Sequence, residues 1–133
     1  MPKALSDARR NVTRMQLMSP LEVAAYFESK GLLHDCVAVF DEVVMESGDL
    51  VLRMTDVDAN FKGLTGYTGD KPCTIIFRNL SDFVTTISLC KVRIYEANVE
   101  SIAGRARLHF RFSPQGHLSA TFGDATIDEG SGA

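Results

Sequence analysis

The sequence has no long apolar segment and no strong excess of charge of either sign. Its uninterrupted apolar runs are only a few residues long, whereas about 20 apolar residues are needed to cross a bilayer. The 133 residues carry a formal net charge of −3, and non-specific nucleic-acid binding requires a strongly basic surface. The basic residues near the N-terminus are not followed by the apolar region of a secretory signal. We therefore predict no membrane association and no nucleic-acid partner.

Cysteine is also scarce, and its pattern argues against a disulfide framework. Cys36, Cys73 and Cys90 are an odd number and form no C-x-x-C pair. Small secreted domains that depend on disulfides usually have an even number of cysteines at closer spacing. The pattern favours reduced thiols at buried strand positions, and therefore a cytoplasmic protein.

The sequence contains no specific enzyme signature. No serine stands in a G-x-S-x-G turn, and no pair of carboxylates can be placed from sequence at the spacing of acid–base catalysis. We predict no catalytic residue, no metal and no cofactor, and we favour a non-enzymatic function.

The composition is typical of one globular domain. Hydrophobic residues make up 45% of the chain and charged residues 23%, and a disordered chain would be poorer in apolar residues. We predict a flexible N-terminal arm at 1–18, a single globular domain at 19–128 and a flexible tail at 129–133.

One helix is predicted from "SPLEVAAYFESKG". Ser19 suits the N-cap, Pro20 the first helical position and Glu22 the return bond of a capping box. Gly31 supplies the left-handed residue that ends the helix. We expect the apolar residues of this segment to pack on a sheet, because about three turns are not stable alone. These residues are Leu21, Val23, Ala24, Ala25 and Phe27.

After Gly31 the apolar pattern changes to a period of two, which is typical of strands. The alternation slips at Asp41 and Glu42, where we predict a β-bulge, and "SGD" predicts a hairpin over 36–56. The predicted strands are 36–46, 50–56, 73–80, 82–89, 91–100, 105–112, 118–122 and 124–129, with 82–89 and 91–100 alternatively forming one bent strand.

Seven or eight strands with one helix, and no strand–helix–strand alternation, argue against a parallel sheet. We predict an α+β fold that is mainly antiparallel β. The sheet is expected to form a sandwich or a half-barrel, with the N-terminal helix packed on it.

His34, Asp35 and Cys36 stand side by side at the start of the first long strand. A catalytic cysteine needs a histidine within hydrogen-bond reach and a third group that orients the ring. Residues two apart on a strand have parallel Cα–Cβ bonds, which is a poor arrangement for that contact. We favour a structural role over a reactive cluster, with Cys36 in the core.

The longest irregular segment, 56–72, contains two weak motifs. Asp56, Asp58 and Asn60 have the opening spacing of a calcium loop, but Phe61 replaces its glycine and Tyr67 its final glutamate. The glycines of "GLTGYTG" suggest a phosphate cradle without the residues that complete one. We predict a surface loop in which Phe61 and Tyr67 contact a partner.

Basic residues lie within predicted strands, whereas acidic residues concentrate in turns. If these strands pair, one face of the sheet becomes basic and suits an anionic partner. The alternative is a solvated outer face whose arginines discourage edge pairing. The predicted binding residues on this face are Arg53, Arg93, Arg105, Arg107 and Arg111.

The segments "LLHDCVAVFDEVV", "GDLVLRM" and "CTIIFRNLSDF" resemble a group of small bacterial proteins, some of which are toxin-immunity proteins. The resemblance covers residues 32–83, and the chain departs from it by lacking tryptophan and by carrying the helix and the "GLTGYTG" loop. It implies a non-enzymatic role in protein binding and identifies no functional residue.

Two functional hypotheses remain open at this point. The first is a protein-binding module of the immunity type, whose partner is another protein or a second copy of the chain. The second is a small-ligand-binding or enzymatic domain with an apolar pocket between helix and sheet. The residues that could line such a pocket are Phe27, Phe40, Phe77, Phe110 and Phe112.

Overall fold

The computed structural model describes residues 15–44, 48–86 and 91–130. They form one antiparallel sheet with the strand order β1-β9-β4-β3-β2-β6-β7-β8-β5, and one α-helix. The predicted α+β class is therefore confirmed. The elements are β1 (Met15–Met18), α1 (Pro20–Ser29), β2 (Val37–Val44), β3 (Asp49–Met54), β4 (Cys73–Arg78), β5 (Ser81–Thr85), β6 (Lys91–Ile102), β7 (Arg105–Ser113), β8 (His117–Thr121) and β9 (Asp124–Glu129), with 3₁₀ turns at Gly31–Leu33 and Ala59–Phe61.

The described residues form nine strands, against a predicted seven or eight. Strand β1 pairs with β9 from Met15 to Met18, so the last four residues of the predicted N-terminal arm belong to the sheet. The alternative of one bent strand over 82–89 and 91–100 is wrong, because β5 pairs with β8 at one edge and β6 lies between β2 and β7. Residues 87–90 lie outside the described part of the chain.

Helix α1 begins with the predicted capping box. The Glu22 N–H donates to Ser19 Oγ (3.3 Å), and the Ser19 N–H donates to Glu22 Oε1 (2.9 Å). Gly31 follows the helix at a φ of +63°, where a Cβ would also clash with the Asn60 side chain. The sequence therefore marks both ends of the helix correctly.

The buried stripe of α1 is narrower than the sequence suggests. Val23 and Phe27 are fully buried, whereas Leu21 is 83% exposed and Ala25 is also exposed. Residues four apart share one helix face, so the sheet covers the row that starts at Val23. The prediction that Leu21 and Ala25 join the core is wrong.

The sheet is open and strongly curved. A register shift between Phe40 and Val43 confirms the predicted irregularity in the β2–β3 hairpin. The rings of Phe77 and Phe110 lie 6.1 Å apart, although three strands separate β4 from β7 in the sheet. Side chains that face each other across the concave side can meet only if the sheet curls. The arrangement is thus the half-barrel and not the sandwich.

The core fills the concave side around Phe110. Its ring lies 6.0 Å from Phe27 on α1, 5.4 Å from Phe40 on β2 and 6.2 Å from Phe112. Together with Phe77, these are the five phenylalanines predicted as pocket-lining residues. All are buried and pack on one another, so the space among them is occupied by the rings themselves.

We expect Phe110→Ala to lower the free energy of unfolding by about 3–5 kcal/mol, because it removes the ring that the others contact and leaves a cavity. Chemical denaturation followed by circular dichroism measures this change. The control is Val84→Ala, at a half-exposed strand position, where a change within about 0.5 kcal/mol is expected. Equal effects of the two substitutions would contradict this view of the core.

Candidate functional site

The predicted arginines share the convex face of the sheet. On β7, Leu108, Phe110 and Phe112 face the core, so the alternate residues point outward. The register extends this face across β6 and β2 to β3, because Arg93 lies opposite Val37, and Val39 lies opposite both Lys91 and Arg53. We call this surface the outer basic face; its residues are Arg53, Lys91, Arg93, Arg105, Arg107 and Arg111.

Carboxylates are interleaved with these cations. Arg111 Nη1 lies 2.8 Å from Glu96 Oε1, in a cross-strand pair between β7 and β6. Two looser pairs join Arg93 to Asp35 (3.9 Å) and Arg105 to Asp82 (4.0 Å). Exposed pairs of this kind contribute little to stability. Arg93, Arg105 and Arg111 therefore stay exposed as separated positive charges.

Arg107 is fixed in a different way. Its Nη1 donates to Thr121 Oγ1 (3.2 Å), and its Nη2 donates to Ser119 Oγ and to the Asp82 carbonyl oxygen (both 3.0 Å). All three acceptors are uncharged, so these bonds hold the guanidinium without neutralising it. Arg107, the third residue of β7, is thus a positive charge held by three hydrogen bonds.

An exposed tyrosine lies on the same face, and the sequence analysis did not identify it. The register between β6 and β7 shifts between Ile94 and Glu96, which leaves Tyr95 without a partner on β7 and 47% exposed. The Arg111 guanidinium lies 5.1 Å from the ring centroid. The sequence signal for this residue is a break in the apolar–polar alternation of β6. Its buried residues Ile94 and Ala97 are three positions apart, whereas regular alternation would place them two apart.

The His34–Asp35–Cys36 segment divides between surface and core. His34 Nδ1 lies 2.7 Å from the Tyr95 carbonyl oxygen. Because a carbonyl oxygen only accepts, Nδ1–H is the donor. The rings of His34 and Tyr95 also meet edge to face, with their centroids 5.4 Å apart. His34 Nε2 lies 3.7 Å from Asp35 Oδ2. Cys36 is fully buried, and its Sγ donates to the Val57 carbonyl oxygen (3.6 Å). The thiol therefore points away from the histidine.

Burial also makes the thiol of Cys36 a poor nucleophile. Desolvation raises its pKa to about 12, and the thiolate is the reactive form of cysteine. The chain turns through left-handed φ values at Leu32, Leu33 and Asp35 (57°, 57° and 69°). This turn places His34 and Asp35 on the surface before the strand carries Cys36 inward.

The 56–72 loop is organised around Asp56, which is only 5% exposed. Its carboxylate accepts from the N–H groups of Asp58 (3.1 Å) and Lys71 (3.2 Å) and from the Tyr67 hydroxyl (2.5 Å). The carboxylate of Asp58 lies 3.0 Å from Lys30 Nζ on one side and 3.5 Å from Lys71 Nζ on the other. These partners, and not a cation ligand set, account for the spacing that resembles a calcium loop.

The two predicted contact residues of the loop have different surroundings. The Tyr67 hydroxyl is held by Asp56 and lies 3.3 Å from Asp70. Phe61 is half-buried, whereas the neighbouring Leu64 is 61% exposed. The loop is tied to the end of α1 through the ion pair between Asp58 and Lys30. The role of the two predicted contact residues in binding stays a prediction.

A partly buried polar cluster joins α1 to β4 and β9. The Tyr26 hydroxyl donates to Glu129 Oε2 (2.5 Å) and lies 3.5 Å from Cys73 Sγ. Lys30 Nζ, one turn further along the helix, is 3.7 Å from the same Glu129 oxygen. Burial raises the pKa of the Tyr26 phenol and raises that of the Cys73 thiol to about 11. Both groups are neutral, and their role is to hold the helix on the sheet.

A groove of about 620 Å³ lies between the first turns of α1 and the end of the β6–β7 hairpin. Five elements or their connections contribute to it, which is why no single sequence segment indicated it. Its apolar lining includes Leu21, Ala24, Val99, Ala106 and Phe122. Its polar lining includes Asn79, Ser81, Ser101 and Thr121, together with the charged residues Glu100 and Arg105.

Comparisons with protein-family models, with curated proteins and with solved structures found no match to this chain. Within the described ranges, no three or more His, Cys, Asp and Glu side chains come together as a metal site. In the same ranges, no helix has the length and apolar character needed to cross a membrane.

We expect the thiols of Cys36 and Cys73 to react with a disulfide reagent at pH 8 at least about 100-fold more slowly in the folded protein than in guanidinium, because both are buried with raised pKa values. A Cys90→Ser background limits the experiment to these two thiols. A fast-reacting thiol in the folded protein would revive the reactive-cluster hypothesis.

Proposed function

We propose that this chain is a non-enzymatic protein-binding module of the bacterial cytoplasm, of the toxin-immunity type, which binds an acidic partner through the outer basic face. The observation that carries the proposal is the placement of six basic residues on one convex face of a chain with net charge −3. Complementary charge of this kind steers association and selects partners.

The arginines of this face are suited to carboxylates. A guanidinium presents a planar fork of N–H donors that matches a carboxylate with two parallel hydrogen bonds. Strands β6 and β7 pair along almost their whole length, so the backbone spacing of the arginines is set before a partner arrives.

Other features support the remaining parts of the proposal. The buried free thiols of Cys36 and Cys73 suit a reducing compartment. Their raised pKa values favour a function without covalent catalysis. The bacterial origin and the immunity role come from the resemblance over residues 32–83.

We expect Arg93→Glu and Arg105→Glu each to reduce recovery of the natural partner at least about ten-fold, because each replaces attraction by repulsion at a charge-selective surface. Both side chains are well exposed, at 56% and 69%, so the fold should persist. Affinity isolation with quantitative mass spectrometry measures the recovery.

The matched control is Lys62→Glu, which makes the same charge change at an exposed position of the 56–72 loop. Recovery with this variant should equal that of the wild type. Unchanged recovery with both arginine variants would overturn the proposal. If the recovered partner is the chain itself, light scattering will show a dimer that both arginine variants dissociate.

The groove favours a second candidate function, the binding of a small apolar ligand. Its volume of about 620 Å³ falls within the range of roughly 300–1,000 Å³ that is common for ligand pockets. It differs from the pocket predicted from sequence, because other residues line it.

We expect Ala24→Phe to abolish binding of any ligand that occupies the groove, because the larger side chain fills space between α1 and the hairpin. Ligand-observed NMR with a library of small apolar molecules measures binding. Ala25→Phe, at the adjacent exposed position, should retain it. The absence of any hit that distinguishes these two variants would remove this candidate function.

A further inference from the structure

We propose that Tyr95 is the anchor of the outer basic face and that it receives an acidic peptide segment, whose carboxylates pair with Arg93 and Arg111. This inference rests on the proposed function and adds the centre of the contact and the chemistry of the partner.

The first step is the position of the ring. Ile94 pairs with Phe112 and Glu96 with Arg111, so Tyr95 is the additional residue of a β-bulge in β6. Bulges redirect a side chain relative to the regular strand and are frequent beside functional sites. Here the preceding residue, Ile94, is fully buried while Tyr95 is 47% exposed. The bulge thus presents a large aromatic ring beside the arginines of the outer basic face.

The second step is that the ring is held in place. The Arg111 guanidinium contacts it at 5.1 Å and is itself held by Glu96 at 2.8 Å. The His34 ring contacts it at 5.4 Å and is held by its bond to the Tyr95 carbonyl oxygen at 2.7 Å. Each neighbour therefore has a second contact of its own, and contacts that exist before binding lower the entropy cost of using Tyr95 as a contact. Tyrosine and arginine are also the types that most often dominate interfaces.

The third step is the charge around the ring. Arg93 and Arg111 both remain exposed, and the pairing of Arg111 with Glu96 engages only Nη1 of a guanidinium that has five N–H donors. Asp35 lies beside Arg93 and Glu96 beside Arg111, so the positive charges do not form a continuous row. A polyphosphate backbone gains affinity from an unbroken row of cations, whereas separated guanidinium groups suit individual carboxylates. An acidic peptide is therefore the favoured partner.

The test is a titration of the ¹⁵N-labelled full chain with a hexaglutamate peptide, followed by amide chemical shifts. We expect the largest shifts at residues 93–97 and 109–112. Tyr95→Ala should weaken binding at least about ten-fold, as loss of an interface anchor does, whereas Tyr95→Phe should stay within about three-fold because it keeps the ring. Val39→Ala, on the same convex face, is the matched control and should bind like the wild type.

Several results would overturn the inference. These are no response to hexaglutamate, an equal response to hexalysine, a tighter response to tripolyphosphate, or unchanged binding by Tyr95→Ala. Failure here is distinguishable from failure of the proposed function. If Arg93→Glu and Arg105→Glu lose the natural partner while Tyr95→Ala keeps it, the outer basic face binds the partner without Tyr95 as its anchor. If all three variants keep the partner, both proposals fail.

Discussion

The fold depends on the convergence of phenylalanine rings at Phe110. Rings from α1, β2 and β4 reach it from three directions, and this convergence requires the sheet to curl. Aromatic pairs at these separations add to the burial energy of each ring. The curl in turn determines which side of each strand is convex, and therefore where the arginines of β7 are displayed. On β7, the alternation of side chains thus supplies both core residues and arginines of the outer basic face.

The polar side chains fall into two groups: those whose partners hold elements of the fold together, and those that stay exposed to solvent. Asp56, Tyr26 and Lys30 have partners within the chain, and the thiols near them are neutral and buried. On the convex face, by contrast, carboxylates approach the arginines without enclosing them. This contrast favours recognition at the surface over chemistry in the interior, although the groove beside α1 supplies a distinct place for a small ligand.

Much of the fold could be predicted from sequence because some segments follow a pattern that depends only on neighbouring residues. The capping box at Ser19 and Glu22 and the alternation of β7 need no information from elsewhere in the chain. Strand β1 was missed because four residues are too short for a periodic pattern, and its assignment depends on β9. Leu21 was misplaced because the sequence does not say which helix row meets the sheet. For the site, the alternation placed the arginines on one face, but Tyr95 becomes distinct only through the register with β7.

The position of β9 has a consequence for how the protein is made. This strand lies between β1 and β4, yet the ribosome produces it after both of them and after the strands on the far side of the sheet. Until β9 is synthesised, β1 and β4 lack the strand that pairs with both of them. Unpaired strand edges invite pairing with other chains. Synthesis of β9 therefore completes the described sheet, and a chain arrested before residue 124 would leave β1 without its partner and one edge of β4 unpaired.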